Sequence, residues 1–574
     1  MQIKRELRRP LTAILVLGLL VTVAAARHPD AVGRRGMVVS GSPIASRYGL
    51  NILRRGGNAV DAAVAVGFAL AVTTPRAGNL GGGGFMVIRF SDGTATTIDF
   101  REKAPAAASR NMYLDDQGAV IDGLSTYGAL ASGVPGTVRG FGLAHEKYGS
   151  LPWDMLLAES ANLAETGFAV SYQLHRDLVR RERFLTQFKA TRELFYPRGR
   201  PLNLNALFRQ PDLAATLRRI ALQGPDEFYT GETARLLATH MGRREGFITL
   251  RDLADYQAVE RPPIVFDYRD TRVFTMGPPS SGGVVLAQIL NQFELVEPSQ
   301  LEYHSAEHIH ALVEAERRAY ADRAYFMGDP DFVDMPIREL ISDAYAAQRW
   351  QDVSLRWATP SEDIEHGSAV MIRESRETTH YSVVDRWGNA VSVTISLNGL
   401  YGSGEVVAGA GFLLNNEMDD FAIQLDRPNM FGLTGSSANA IEPGKRMLSS
   451  MTPTIVTRND SLLLVIGSPG GPTIITTVAQ IIINVVDFGM GIKEAVEAPR
   501  FHHQWMPNEI VMEPRAFGPE TRQRLVRMGH KVRIHSDPSH YDTIGSAHCI
   551  YVDAGTGWYF GAADSRRESG AAGY

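Results

Sequence analysis

The chain has 574 residues, 44% hydrophobic and 21% charged, with 55 Gly, a single Cys and a formal charge of −5. That apolar fraction excludes a disordered chain, and the length accommodates two to four packed units of about 100–200 residues each. Mild acidity with no Lys/Arg block in the body argues against nucleic-acid binding, and the one cysteine, Cys549, excludes an intrachain disulfide, a thiolate zinc cage and an iron–sulfur cluster.

The first segment is the exception to the even charge. Lys4, Arg5, Arg8 and Arg9 precede an apolar run over 11–23 and then Ala24-Ala25-Ala26. A positive start, a short apolar stretch and a small-residue site form a secretory signal, and the run falls short of the roughly 20 residues that span a bilayer. The expectation is export to a periplasm or the exterior, with residues 1–26 removed and no membrane attachment afterwards. From Met37 helices and strands alternate. Pro43 to Leu53 reads as a helix stopped by Gly56-Gly57, and Asn58 opens a second, Ala/Val-rich helix to about Val72. Phe85–Phe90 and Thr94–Phe100 read as strands joined at Ser91-Asp92-Gly93. Residues 150–330 carry mainly helical periodicity. His304, His308 and His310 lie there and read as a solvated helix face, because no carboxylate set completes a metal site. Between about Ser354 and Glu377 periodicity fades into a polar linker. Strands resume at Thr379–Asp385 and Ala390–Asn398 around a turn at Arg386–Asn389, and Leu462–Ile466 is a further strand leading into a long apolar helix from about Thr473. Strands and helices mixed throughout make the fold α/β or α+β.

Three features carry chemistry. On Ala390–Asn398, Ser392, Thr394, Ser396 and Asn398 alternate with apolar residues, so a period of two gathers them on one face. With the turn centred on Trp387-Gly388, Thr378 lies across from Ser396. A threonine heading a strand behind a polar linker would gain an α-amine as its own base if the chain were cut before it. A plain strand with Ser/Thr on its exposed face fits the same pattern. Second, Gly467-Ser468-Pro469-Gly470-Gly471-Pro472 breaks a buried strand at a helix start, where glycine N–H groups suit an oxyanion. A simple tight turn is the other reading. Third, Arg101, the acidic stretch Asn415–Asp420 and Ser449-Ser450 together offer a cation, carboxylates and hydroxyls, a set able to hold an α-amino acid by both charged ends.

The strings Pro75–Phe85, Asp99–Glu102, Thr378–Ser382, Asn415–Asp420, Leu448–Met451 and Gly467–Gly471 stand in one order and spacing. Through them, residues 37–574 closely resemble the γ-glutamyltranspeptidases of the N-terminal-nucleophile hydrolase superfamily. The resemblance implies a four-layer αββα sandwich made as one proenzyme. It would cut itself between Glu377 and Thr378 into a heterodimer of a large subunit, 27–377, and a small catalytic subunit, 378–574. It implies Thr378 as nucleophile assisted by Thr379, Ser396 holding the new N-terminus, and Gly470 and Gly471 as oxyanion donors. Arg101, Ser449 and Ser450 would bind the substrate α-carboxylate, and Asn398, Glu417 and Asp420 its α-amino group. Substrates would be small γ-glutamyl donors with amino-acid or peptide acceptors, without metal or other cofactor. The stretch from Asp420 to Ser449 is long enough for a lid, in which Phe431 falls where some relatives have Tyr. The rival readings are a cephalosporin or glutaryl acylase on the same scaffold, and a non-catalytic periplasmic γ-glutamyl-peptide binding protein.

Overall fold

The computed structural model describes residues 28–297, 301–364, 378–424, 436–535 and 543–574. The expected export signal at 1–26, Glu377 of the expected cut and Phe431 of the expected lid lie outside the described residues.

Two seven-stranded sheets stack face to face. The first runs, in spatial order, Gly570–Gly573, Gly36–Ser40, Thr378–Asp385, Ala390–Ser396, Gly83–Arg89, Ala95–Phe100 and Val259–Arg261, each neighbour antiparallel. The second runs Ala31–Gly33, Trp558–Ala563, His548–Asp553, Ser461–Ile466, Thr454–Arg458, Thr271–Thr275 and Ile264–Tyr268, also antiparallel. Residues before and after the linker contribute strands to both sheets.

Alternation along each strand divides the core into layers. Met37, Val39, Phe85, Val87 and Val384 of the first sheet meet Ile455, Val465 and Ile550 of the second. The outer face of the first sheet, with Val383, Val391, Val393 and Ile395, packs on the helices Pro43–Arg54 and Ala59–Thr73. The outer face of the second packs on Gly282–Phe293, Ala306–Phe326 and Thr473–Val486. The result is the expected αββα sandwich.

Ala59–Thr73 is buried on nearly all sides, as the apolar run between Asp61 and Thr73 demands. Asn58 starts it: its Oδ1 accepts the N–H groups of Val60 and Asp61, while Asp61 Oδ2 accepts the N–H of Asn58. The stretch 150–330 is not helical throughout. It includes the hairpin Ile264–Tyr268/Thr271–Thr275 at the edge of the second sheet, whose alternating pattern spans too few residues to stand out among the surrounding helices.

The three histidines also depart from expectation. His308 and His310 are buried, 2% and 0% exposed: Phe293, Tyr303 and Phe488 surround the His308 ring, and Ser354 and His530 cover His310. His310 Nδ1 shares a hydrogen bond with His530 Nε2 at 2.8 Å, and its Nε2 donates to the Ser354 carbonyl at 2.7 Å. Glu314 is near enough for the three to share an ion. Its carboxylate, however, is held by Arg318 Nη1 at 2.6 Å and faces Arg317 Nε at 3.5 Å, and two cations repel a third. Burial holds both His310 and His530 below the usual imidazole pKa, and the cluster is a neutral-imidazole brace across the helical layer.

Candidate active site

Thr378 begins the third of the seven strands of the first sheet and is paired in register with Ser396 on the central strand. Both side chains face the other sheet, with His380, Ser382, Ser392 and Thr394 further along the same face. The hydroxyl face is therefore interior, and every residue of both strands is buried. Its polar atoms are satisfied across the sandwich. Ser382 Oγ donates to the His548 carbonyl at 2.8 Å, and Ser392 Oγ donates to the Ile466 carbonyl at 3.0 Å. Ser/Thr at alternate positions is read as solvent-facing when no second layer is known. Here the second sheet provides the partners.

Thr378 Oγ1 donates to Ser396 Oγ over a long 3.5 Å. Ser396 Oγ also accepts the Asn398 N–H at 2.8 Å, where the chain turns with a left-handed φ of 73° at Asn398. Asn398 Nδ2 donates to the Asn416 carbonyl at 2.9 Å, and Asn416 Oδ1 accepts the Gly399 N–H at 2.8 Å. The strands carrying Thr378 and Ser396 are thus tied directly to the acidic stretch. Thr379 points to the opposite face, packed against Gly41 and Gly78, and is not brought beside the Thr378 hydroxyl.

The glycines at 81–84 have a steric purpose. A Cβ on Gly82 would lie 2.0 Å from the Ser396 carbonyl oxygen, so only glycine allows this backbone to approach the Thr378–Ser396 pair. At the other turn, Gly470 and Gly471 have φ of 139° and 57°, both in the glycine-favouring region, and the helix Thr473–Val486 follows. Gly467 lies against the His380 ring, and the His548 N–H donates to its carbonyl at 3.2 Å. These contacts anchor the turn to the strand that Thr378 begins.

Arg101 follows the strand Ala95–Phe100 and is 1% exposed. Its Nη1 pairs with Glu417 at 2.6 Å and its Nη2 with Asp420 at 2.5 Å, while Nε and Nη2 donate to the carbonyls of Met447 and Leu448, both at 3.2 Å. The two poles expected to be separate are therefore one network: the arginine and both carboxylates touch, and the chain leading into Ser449-Ser450 hangs from the same guanidinium. A third carboxylate, Glu102, lies 3.6 Å from Arg101 Nη1 and is fully buried. Sequence reasoning gave Glu102 no part. Burial pushes Glu417 well above the usual carboxylate range and raises Asp420, with Arg101 opposing both shifts, and Glu102 is pushed up to about 8 for the same reason. Three carboxylates, two of them buried and Asp420 partly open, around one guanidinium are short of positive charge, which suits an incoming ammonium group.

The interior threonine at a strand start, in the centre of a two-sheet sandwich between helical layers, defines an N-terminal-nucleophile hydrolase. The chain belongs to the γ-glutamyltranspeptidase family, whose model matches residues 45–574. It is 46% identical, over 98% of its length and 97% of the relative's, to the glutathione hydrolase proenzyme of Escherichia coli (strain K12). Among solved structures it resembles cephalosporin acylase from Bacillus halodurans, with a TM-score of 0.84 and 27% identity over 96% of this chain and 97% of that one. It also resembles Helicobacter pylori γ-glutamyltranspeptidase, with a TM-score of 0.56 and 44% identity over 57% of this chain and 93% of that one.

Proposed function

We propose that this enzyme is an autoprocessed γ-glutamyl hydrolase and transferase in which Thr378 carries the chemistry. The observation that supports this most is the unbroken run of contacts Thr378–Ser396–Asn398–Asn416, continuing through the next residue, Glu417, to Arg101. It joins a nucleophile to a site that matches both charges of an α-amino acid. Cleavage of the Glu377–Thr378 bond would free the Thr378 amine, whose ordinary pKa of about 8 suits a base near neutral pH. The amine takes the Thr378 hydroxyl proton as Oγ1 attacks the γ-carbonyl. The Gly470 and Gly471 N–H groups face the resulting oxyanion, and the same proton passes to the departing amine as the C–N bond breaks. The γ-glutamyl ester left on Thr378 is resolved by water, or by the amino group of an amino-acid or peptide acceptor. Arg101, Ser449 and Ser450 hold the donor α-carboxylate, while Asn398, Glu417 and Asp420 hold its α-ammonium. Glutathione and related γ-glutamyl compounds are the proposed donors.

Residues 1–26 are read as an export signal that delivers the enzyme to a periplasm or the exterior, and N-terminal sequencing of the secreted protein checks this. Among the described residues no helix is long and apolar enough to cross a membrane.

The acylase reading has the solved cephalosporin acylase in its favour. The cluster of Glu102, Glu417 and Asp420 opposes it, because a glutaryl group brings no cation to offset them. The wild-type protein should run on a denaturing gel as two pieces, about two-thirds and one-third of the mature mass, and release 4-nitroaniline from its γ-glutamyl anilide far faster than from its glutaryl anilide. Thr378→Ala should run as one piece and release none. Cleavage in that variant, or glutaryl preference in the wild type, would overturn the proposal.

A further inference from the structure

Ser449 and Ser450 are neutral, and a hydroxyl accepts a hydrogen bond as readily as it donates one. What makes such a pair read a carboxylate is therefore decided by whatever occupies their lone pairs. Arg323 lies in the last turn of the helix Ala306–Phe326, 3% exposed, where the carbonyl end favours a cation. Its Nη2 donates to Ser450 Oγ at 3.0 Å, and its Nε donates to Ser281 Oγ at 2.8 Å. Ser281 in turn donates twice to the Ser449 carbonyl, from its N–H and its Oγ, each at 2.8 Å. The Met451 N–H donates to Ser449 Oγ at 3.1 Å.

We infer that Arg323 is a positioning residue for donor binding: its fork fills the acceptor side of Ser450 directly and, through Ser281, holds the main chain at Ser449, whose own hydroxyl accepts the Met451 N–H, so that both hydroxyl protons are left to a carboxylate. This rests on the assignment of Ser449 and Ser450 to the α-carboxylate. The fork geometry matters as well as the charge, since two separate nitrogens hold Ser281 and Ser450 and a lysine has only one.

The test compares three anilides: γ-glutamyl, glutaryl (carboxylate without amine) and 4-aminobutyryl (amine without α-carboxylate). Arg323→Gln should raise KM for the γ-glutamyl donor about 10- to 100-fold with kcat within about twofold, and Arg323→Lys should recover only part of this. The glutaryl donor should lose kcat/KM similarly, and the 4-aminobutyryl donor should change by less than about twofold. Equal losses on all three donors, or a fall in kcat alone, would overturn the inference. If Arg323→Gln does not fold, Ser281→Ala decides: it should raise KM about 3- to 10-fold for the two carboxylate donors only, and no donor-selective change would count against Arg323. A Ser449→Ala/Ser450→Ala variant that handles carboxylate donors normally would instead overturn the underlying assignment.

Discussion

At the scale of single residues the site is governed by charge held out of water. Glu102, Glu417 and Asp420 share one guanidinium, and burial favours their protonated forms. Binding an ammonium group requires carboxylates, so it must expel protons from this cluster. KM for a γ-glutamyl donor should therefore rise several-fold as pH falls from about 8 to about 6, while KM for a glutaryl donor, which brings no ammonium, should stay nearly flat. Steady-state kinetics across that range measure both. Stability should run the other way. Glu102 keeps its proton in the folded state up to about pH 8, whereas the unfolded chain releases it near the ordinary value of 4.5, so stability falls as pH rises between those limits. Glu102→Gln should flatten that slope and be the more stable protein above pH 8, by about 1–3 kcal/mol in denaturant titrations. The sequence placed Arg101, Glu417, Asp420 and the serine pair among the candidates through residue type and motif. Direct contact of Arg101 with both carboxylates was not legible, because the residues lie more than 300 positions apart and no local period relates them.

Among the elements, those whose signal is local agree with the sequence almost to the residue. The helix expected from Asn58 to about Val72 is Ala59–Thr73, and the strand expected at Leu462–Ile466 is Ser461–Ile466. The Asn58 cap is one such signal, and Asn58→Ala should destabilise the fold by about 1 kcal/mol without altering KM, as denaturant unfolding and donor kinetics would show. The register of the nucleophile hairpin was also legible, because a turn centred on Trp387-Gly388 sets Thr378 opposite Ser396, as observed. What that face looks onto was not legible. The alternation of Ser/Thr with apolar residues is the same whether the polar side meets water or a second sheet. Gly82 belongs to this scale too: Gly82→Ala forces a methyl against the Ser396 carbonyl. It should abolish maturation to two pieces on a gel while leaving far-ultraviolet circular dichroism close to wild type.

For the molecule as a whole, the proposed cut does not divide two domains. The first sheet places Thr378–Asp385 directly between Gly36–Ser40 and Ala390–Ser396, and Gly570–Gly573 pairs on the far edge of Gly36–Ser40. The second sheet likewise sets Thr454–Arg458 beside Thr271–Thr275. Each piece alone would carry broken sheets and an exposed apolar face. After processing the two should co-elute on size exclusion and separate only in denaturant, and residues 28–377 expressed alone should fail to give a cooperative unfolding transition.

The sequence by itself determined the helices and strands with strong local periodicity, the turn glycines and the membership of the family, and it singled out Thr378 as the proposed reacting residue. Each of these depends on neighbouring positions or on motif order. Tertiary structure alone decided that the hydroxyl face is interior, that Thr379 turns away from the nucleophile, that His308 and His310 are covered, and that Arg323 and Ser281 stand behind the serine pair. Those outcomes depend on which distant segments come to lie against a given face. Burial and hydrogen-bond satisfaction act there through space, independently of separation along the chain.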